Sequence, residues 1–126
     1  MELLNKNISG DFLKISKKVI PDNYVDLTVT SPPYDRMRKY LNKDVKDVDI
    51  QFNPHGIIKE LFRVTKEGGV VVWVVGDQVI NGGESGSSFK QALCFIENGF
   101  KLYDTMIYLK NGAPYPEKRR YSQVFE

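Results

Sequence analysis

Apolar and polar residues fall into blocks along this chain, and the blocks change period. Residues 24–30, YVDLTVT, follow the turn signal Pro21-Asp22-Asn23 as a short, nearly continuous β-rich run. Such a run predicts a strand covered on both faces and central in a parallel sheet. Residues 35–53 are polar and mixed in charge, without clear period, and read as a loop. Across residues 53–66 the apolar Ile57, Ile58, Leu61, Phe62 and Val64 recur at helical spacing. Asn53 is placed to cap this helix, Pro54 suits its first turn, and Gly68-Gly69 is expected to stop it. The valine-rich run 70–77 then predicts a second buried strand. Beyond the turn-forming NGGESGSS, the residues Phe89, Ala92, Leu93, Phe95 and Ile96 predict an amphipathic helix ended by Asn98-Gly99. Residues 101–110, KLYDTMIYLK, alternate as a third strand. The order strand, helix, strand, helix, strand implies right-handed parallel crossovers and an α/β sheet with helices on its faces.

Composition narrows the class without changing that picture. A chain of 126 residues is long enough for one domain with a core and too short for two ordinary ones. Hydrophobic residues at 41% and charged residues at 27% are ordinary for a globular protein, so disorder is excluded. A net charge of +2 says little about partners unless the charges cluster. The single cysteine, Cys94, has no internal disulfide partner and sits in an apolar run, as a buried structural thiol would. With one histidine, His55, and no cluster of cysteine and histidine, no metal site is expected. No basic segment leads into a long apolar run and none has the length of a membrane span, so no membrane partner and a cytoplasmic location are expected.

The chemistry concentrates where the first strand ends, at Ser31-Pro32-Pro33-Tyr34. In open parallel α/β sheets ligands bind outside the carboxyl ends of the strands. Two prolines fix φ and remove two N–H groups, which leaves carbonyl acceptors with little backbone freedom. The Pro32 carbonyl and the Ser31 hydroxyl can each accept a hydrogen from an exocyclic amine while Tyr34 stacks on the ring that bears it. That amine is a poor nucleophile on cytosine or adenine because its lone pair is delocalised into the ring. Acceptors held out of line favour a tetrahedral nitrogen and free the lone pair for an electrophilic methyl group, and the base must be flipped out of a duplex to reach them. The plainer alternative is that Pro-Pro only terminates the strand.

The stretch DLTVTSPPY resembles motif IV of the amino-methylating DNA methyltransferases. Upstream, GDF at residues 10–12 and IPDNYVDL are similar to that family's lead-in. Downstream, ELFRVTKEGGVVVWVVGD and RRYSQVFE resemble the segments that follow, so the likeness covers nearly the whole chain and points to the circularly ordered subgroup beginning with SPPY. The resemblance implies an α/β fold, a partial Rossmann-like S-adenosylmethionine-dependent methyltransferase sheet with helices on both faces. It implies S-adenosyl-L-methionine as cofactor and double-stranded DNA as substrate. Ser31, Pro32, Pro33 and Tyr34 are then the catalytic residues, and Asp11, Thr30 and Ser31 the cofactor-binding candidates. Serine at the first motif position favours cytosine N4, with adenine N6 second. The family's glycine-rich Phe-x-Gly-x-Gly turn for the methionine part of the cofactor is absent from this sequence. Residues 82–88, GGESGSS, follow the wrong strand, lack the aromatic residue and read as a flexible turn. Residues 1–126 are therefore expected to be the N-terminal, catalytic-motif part of a methyltransferase domain. The cofactor motif would come from a C-terminal half or a second subunit, and a cognate restriction endonuclease is a further expected partner.

Several polar residues carry two readings each. Asp11 can serve the cofactor or cap the helix after it, and Asp77 can line the crevice or form a turn. Arg36, Arg38 and Lys39, in a loop with Tyr40, and Lys118, Arg119 and Arg120, beside Tyr115 and Tyr121, suit phosphate contacts that position DNA without reading sequence, or simply a solvated surface. Three competing functions remain at this level: the DNA enzyme, a methyltransferase acting on RNA or a protein amide, and a non-catalytic remnant or nucleic-acid-binding module.

Overall fold

Helix α1, Phe12–Val19, starts at Asp11, whose carboxylate accepts from the Lys14 N–H at 3.0 Å. Of the two roles considered for Asp11 this is the cap. Lys17 and Lys18 in the last turn complement the helix dipole. The computed structural model describes residues 3–33 and 53–108. Strand β1, Val25–Thr30, lies one residue inside its predicted range. Helix α2, Pro54–Val64, starts as the sequence requires, with the Asn53 side chain accepting from the Gly56 N–H at 3.0 Å and proline in the first turn.

The end of α2 differs from expectation. It stops at Val64, not at Gly68-Gly69, because Thr65 turns to extended φ/ψ and its hydroxyl donates to the Leu61 carbonyl at 2.6 Å. Strand β2, Thr65–Trp73, begins at once and pairs in parallel with β1. Val25 pairs with Thr65 and Leu27 with Val70, so β1 advances two residues (27 − 25) while β2 advances five (70 − 65). The excess is a bulge that holds Gly68-Gly69. From there the register is regular to Thr30 opposite Trp73, and residues 74–77, expected as strand, lie beyond it.

A hairpin that the pattern did not predict follows, β3 at Val79–Ile80 against β4 at Gly83–Glu84. Asn81 and Gly82 form its turn with φ of 50° and 80°, the double left-handed conformation of a tight two-residue connection. Helix α3, Ser87–Glu97, ends at Asn98 as expected.

The core is built on one stripe of α2, where Ile58, Leu61 and Val64 are buried. Helices α1 and α3 both pack on α2. Behind α3 the aromatic rings of Trp73, Phe95, Phe100 and Phe62 run edge to face, with successive centroids 5.1, 5.3 and 5.3 Å apart. A buried polar group lies between α1 and α2: Glu60 accepts from the Ser16 hydroxyl at 2.7 Å and from Arg63 at 2.5 and 3.1 Å. Arg63 also donates to the Ser16 and Ile20 carbonyls and pairs with Asp22, so one guanidinium ties α1 and the turn before β1 to α2. The ion pair raises the Arg63 pKa further and holds the Glu60 carboxyl below its usual range.

Two other expectations meet a different outcome. Residues 101–108 form no strand, because no described strand offers them a ladder, and Leu102, Tyr103, Met106, Ile107 and Tyr108 are exposed. Helix α3 turns Gln91 and Phe95 inward, whereas Phe89, Leu93 and Ile96 from the predicted apolar stripe are exposed. The sheet face that carries Leu27, Val29 and Val70 is also uncovered among the described residues, at 59%, 65% and 53% exposure. The other face, with Thr28, Thr30, Val71 and Trp73, is the better covered one, and Trp73 there touches α3.

Candidate active site at the sheet edge

The last ladder bond of β1 runs from the Val74 N–H to the Thr30 carbonyl at 2.9 Å. Beyond it Pro32 and Pro33 have no N–H to offer, and residues 31–33 leave the sheet. This is the carboxyl edge of two neighbouring parallel strands. Ser31 is exposed, Pro32 buried and Pro33 half-buried. The Ser31 hydroxyl donates to the Pro32 carbonyl at 3.5 Å, a long and weak bond that leaves the hydroxyl oxygen's lone pairs as acceptors. A hydroxyl and a carbonyl thus stand side by side at this edge.

Thr30, Ser31, Pro32 and Pro33 are brought together here by strand continuity alone. Asp11 stands at the head of α1 with its carboxylate engaged as a cap. Tyr34 and the basic residues Arg36, Arg38, Lys39, Lys118, Arg119 and Arg120 lie outside the described residues.

Asp77, read from the sequence as either a turn former or a crevice residue, does something else at this edge. It accepts from the N–H of Ser88 at 2.8 Å and the hydroxyl of Ser88 at 2.5 Å, and from the Ser85 hydroxyl at 3.3 Å. It therefore caps α3 from a distance, because the N-cap position is Gly86, which has no side chain. The signal for this was present in a glycine at a helix start with no capping side chain.

Cys94 meets His55 with Sγ and Nδ1 3.6 Å apart, and Asn98 Nδ2 lies 3.6 Å from the same sulfur. Burial pushes the thiol pKa up, so this pair holds a protonated thiol and not an activated thiolate. Among the described residues no group of three or more His, Cys, Asp and Glu could hold a metal ion, and no helix is long and apolar enough to cross a membrane.

Residues 25–126, from the start of β1 onward, match the DNA methylase family of N6 and N4 methyltransferases. Over 110 residues the chain is 56% identical to the orphan methyltransferase M.BamHII of Bacillus amyloliquefaciens, a match covering 87% of this chain and 39% of that protein. It is 40% identical over 81 residues to the type II methyltransferase M.BglII of Bacillus subtilis, covering 64% of this chain and 22% of that one. To the type II beta methyltransferase M.BslI of Bacillus sp. (strain NEB-606) it is 32% identical, over 91% of this chain and 13% of the relative. The chain thus spans about two fifths or less of the curated relatives it matches. With the Ser-Pro-Pro edge inside the matched segment, the chain belongs to the N6/N4 DNA methylase family.

Proposed function

We propose that this chain carries the target-amine half of a site-specific DNA methyltransferase. In this reading a methyl group passes from S-adenosyl-L-methionine to the exocyclic amine of a flipped base in double-stranded DNA, with cytosine N4 the first choice and adenine N6 the second. The observation that carries the reading is the carboxyl edge of β1, where the Ser31 hydroxyl and the Pro32 carbonyl stand side by side, 3.5 Å apart, just past the last ladder bond. An amine whose two hydrogens are held there is drawn out of the ring plane, and its lone pair is released from conjugation. Neither group is a base, so their part is to bind and orient. Tyr34, next in the chain, supplies the stacking face, and the basic residues of 36–39 and 118–120 supply phosphate contacts.

Of the cofactor-binding candidates, Thr30 and Ser31 stand at the carboxyl edge of β1, and the exposed Asp11 carboxylate caps α1 with acceptor sites to spare. The glycines of 82–86 belong to the hairpin and to the start of α3. No Phe-x-Gly-x-Gly turn occurs in the sequence. The chain is accordingly proposed as the catalytic-motif part of a larger Rossmann-like domain. Its uncovered sheet face at Leu27, Val29 and Val70 is the surface that a C-terminal half or second subunit, carrying the cofactor motif and further helices, would cover. The type II designation of two relatives supports a cognate restriction endonuclease as partner of the whole protein.

The test is incubation with methyl-labelled S-adenosyl-L-methionine and mixed-sequence DNA, followed by digestion to nucleosides. Label on N4-methylcytosine or N6-methyladenine is the expected product, from this chain or from the chain joined to its complementary half. Label on RNA or a protein amide, or no label from the joined protein, overturns the reading.

A further inference from the structure

Helix α1 carries its charge on one side and in one sign. Lys14, Lys17 and Lys18 recur at spacings of three and four residues, so they share a face, and all three are exposed. Ser16, on the opposite side, is buried against Glu60 of α2. The helix contains no acidic residue. Stability alone does not explain this arrangement. The helix dipole favours Lys17 and Lys18 in the last turn, but Lys14 lies in the first turn, at the positive end, where a cation is unfavourable. Lys14 and Lys18 are also like charges one turn apart, which weakens a helix. No nearby acid compensates them. Asp22 and Glu60 pair with Arg63, Asp26 pairs with Lys66, and none of the three lysines makes an ion pair among the described residues. The Asp11 carboxylate accepts from the backbone N–H of Lys14, not from its ammonium.

The face is also held in place. Arg63 donates to the carbonyls of Ser16 and Ile20 and so fixes the end of α1 on α2. With the other side of α1 already packed on α2, the helix is not free to sink an apolar side into a lipid surface. We propose that the Lys14, Lys17 and Lys18 face of α1 is a contact surface for the phosphate backbone of duplex DNA. This rests on the proposed function, which makes DNA the polyanion that the chain meets. Each ammonium takes the place of a counterion condensed on a phosphate, which adds affinity without reading sequence.

The test is filter binding of a mixed-sequence duplex over a series of salt concentrations, where each phosphate contact adds about 0.9 to the slope of log K against log salt. Replacing all three lysines with glutamine is expected to flatten that slope by about 2.7, and replacing all three with arginine to keep it. Lys14→Gln alone relieves an unfavourable first-turn cation, so it does not weaken the helix. It is expected to flatten the slope by about 0.9 and decides the matter if the triple variant does not fold. Lys90→Gln, at an exposed position on α3, is expected to leave the slope unchanged. An unchanged slope in the folded triple variant or in Lys14→Gln overturns the inference, and so does an equal loss in Lys90→Gln, which would make the effect one of net charge. If those variants still transfer methyl to DNA, the proposed function stands without it. Loss of binding to phosphatidylserine vesicles with duplex binding unchanged assigns the face to a membrane and overturns the inference as well. A wild-type chain that binds no duplex overturns the proposed function and this inference with it.

Discussion

Replacing Glu60 with alanine tests whether the polar group under α2 stabilises the fold. Glu60 accepts three hydrogen bonds, one from Ser16 and two from Arg63, and both Glu60 and Ser16 are buried. In Glu60→Ala the Ser16 hydroxyl loses its partner out of contact with water, which costs about 1–3 kcal/mol. The Arg63 side chain is 29% exposed and keeps Asp22 and two carbonyls, so its loss is screened to about 1 kcal/mol. The sum is roughly 2–4 kcal/mol. With a urea m-value of about 1–3 kcal/mol/M, the midpoint falls by roughly 0.7–4 M at constant m, about 1.5 M at the middle of both ranges. Glu60→Gln keeps an acceptor for one partner and is expected to cost about half as much. The pH dependence carries a sign of its own. Arg63 and Ser16 hold the folded Glu60 carboxyl below its ordinary value of 4.5, so the unfolded chain takes up the proton first as pH falls. The stabilisation is present above about 4.5 and is lost as pH drops through the lower folded value, and Glu60→Gln removes that slope. A urea midpoint for Glu60→Ala within about 0.3 M of wild type would refute the reasoning, since even the low end of the range exceeds that shift.

Three further perturbations are worth measuring. Gly99 has φ of +105°, and a Cβ there would lie 2.7 Å from the Phe62 ring; Gly99→Ala should cost roughly 1–3 kcal/mol, and an unchanged Tm would count against the packing of Phe62 on α3's end. Cys94 should alkylate with a pH midpoint above its ordinary 9.0 because burial favours the neutral thiol, and a midpoint below that value would contradict the burial. Tyr34→Ala removes a base stack worth roughly 1–3 kcal/mol, about 10–100-fold in transfer, without moving the unfolding midpoint; intact transfer would sink the stacking role. Pro32→Ala, which keeps its carbonyl, should lose less.

What the sequence disclosed followed from local chemistry. Asn53-Pro54 announced the start of α2, and β1 and β2 were legible as valine-rich and threonine-rich runs on either side of it. The Ser-Pro-Pro edge was legible because proline ends a ladder whatever surrounds it. What stayed hidden depended on distant partners. Gly68-Gly69 looked like a helix stop but serves a bulge, because Thr65 had already found its β1 neighbour. Residues 101–110 alternate like a strand, yet over 101–108 alternation did not supply the neighbouring edge a strand requires. The amphipathic reading of α3 chose Phe89 and Leu93 as inward, whereas Gln91 is the buried residue, bonded to Trp73, a partner that a pattern of apolar residues cannot disclose. Glu60 and Asp77, two carboxylates among many, acquired their roles only when residues tens of positions away or across a hairpin came into reach.

The chain has one tryptophan, and it stands at the joint where β2 meets α3, its indole N–H on Gln91 and its ring edge to face with Phe95. Its emission is therefore a reporter already in place for a single event, the seating of α3 on the sheet. A red shift without loss of helical circular dichroism would register α3 lifting away while α1 and α2 stay joined through Arg63, so the two halves of this small core can be watched separately without adding a dye.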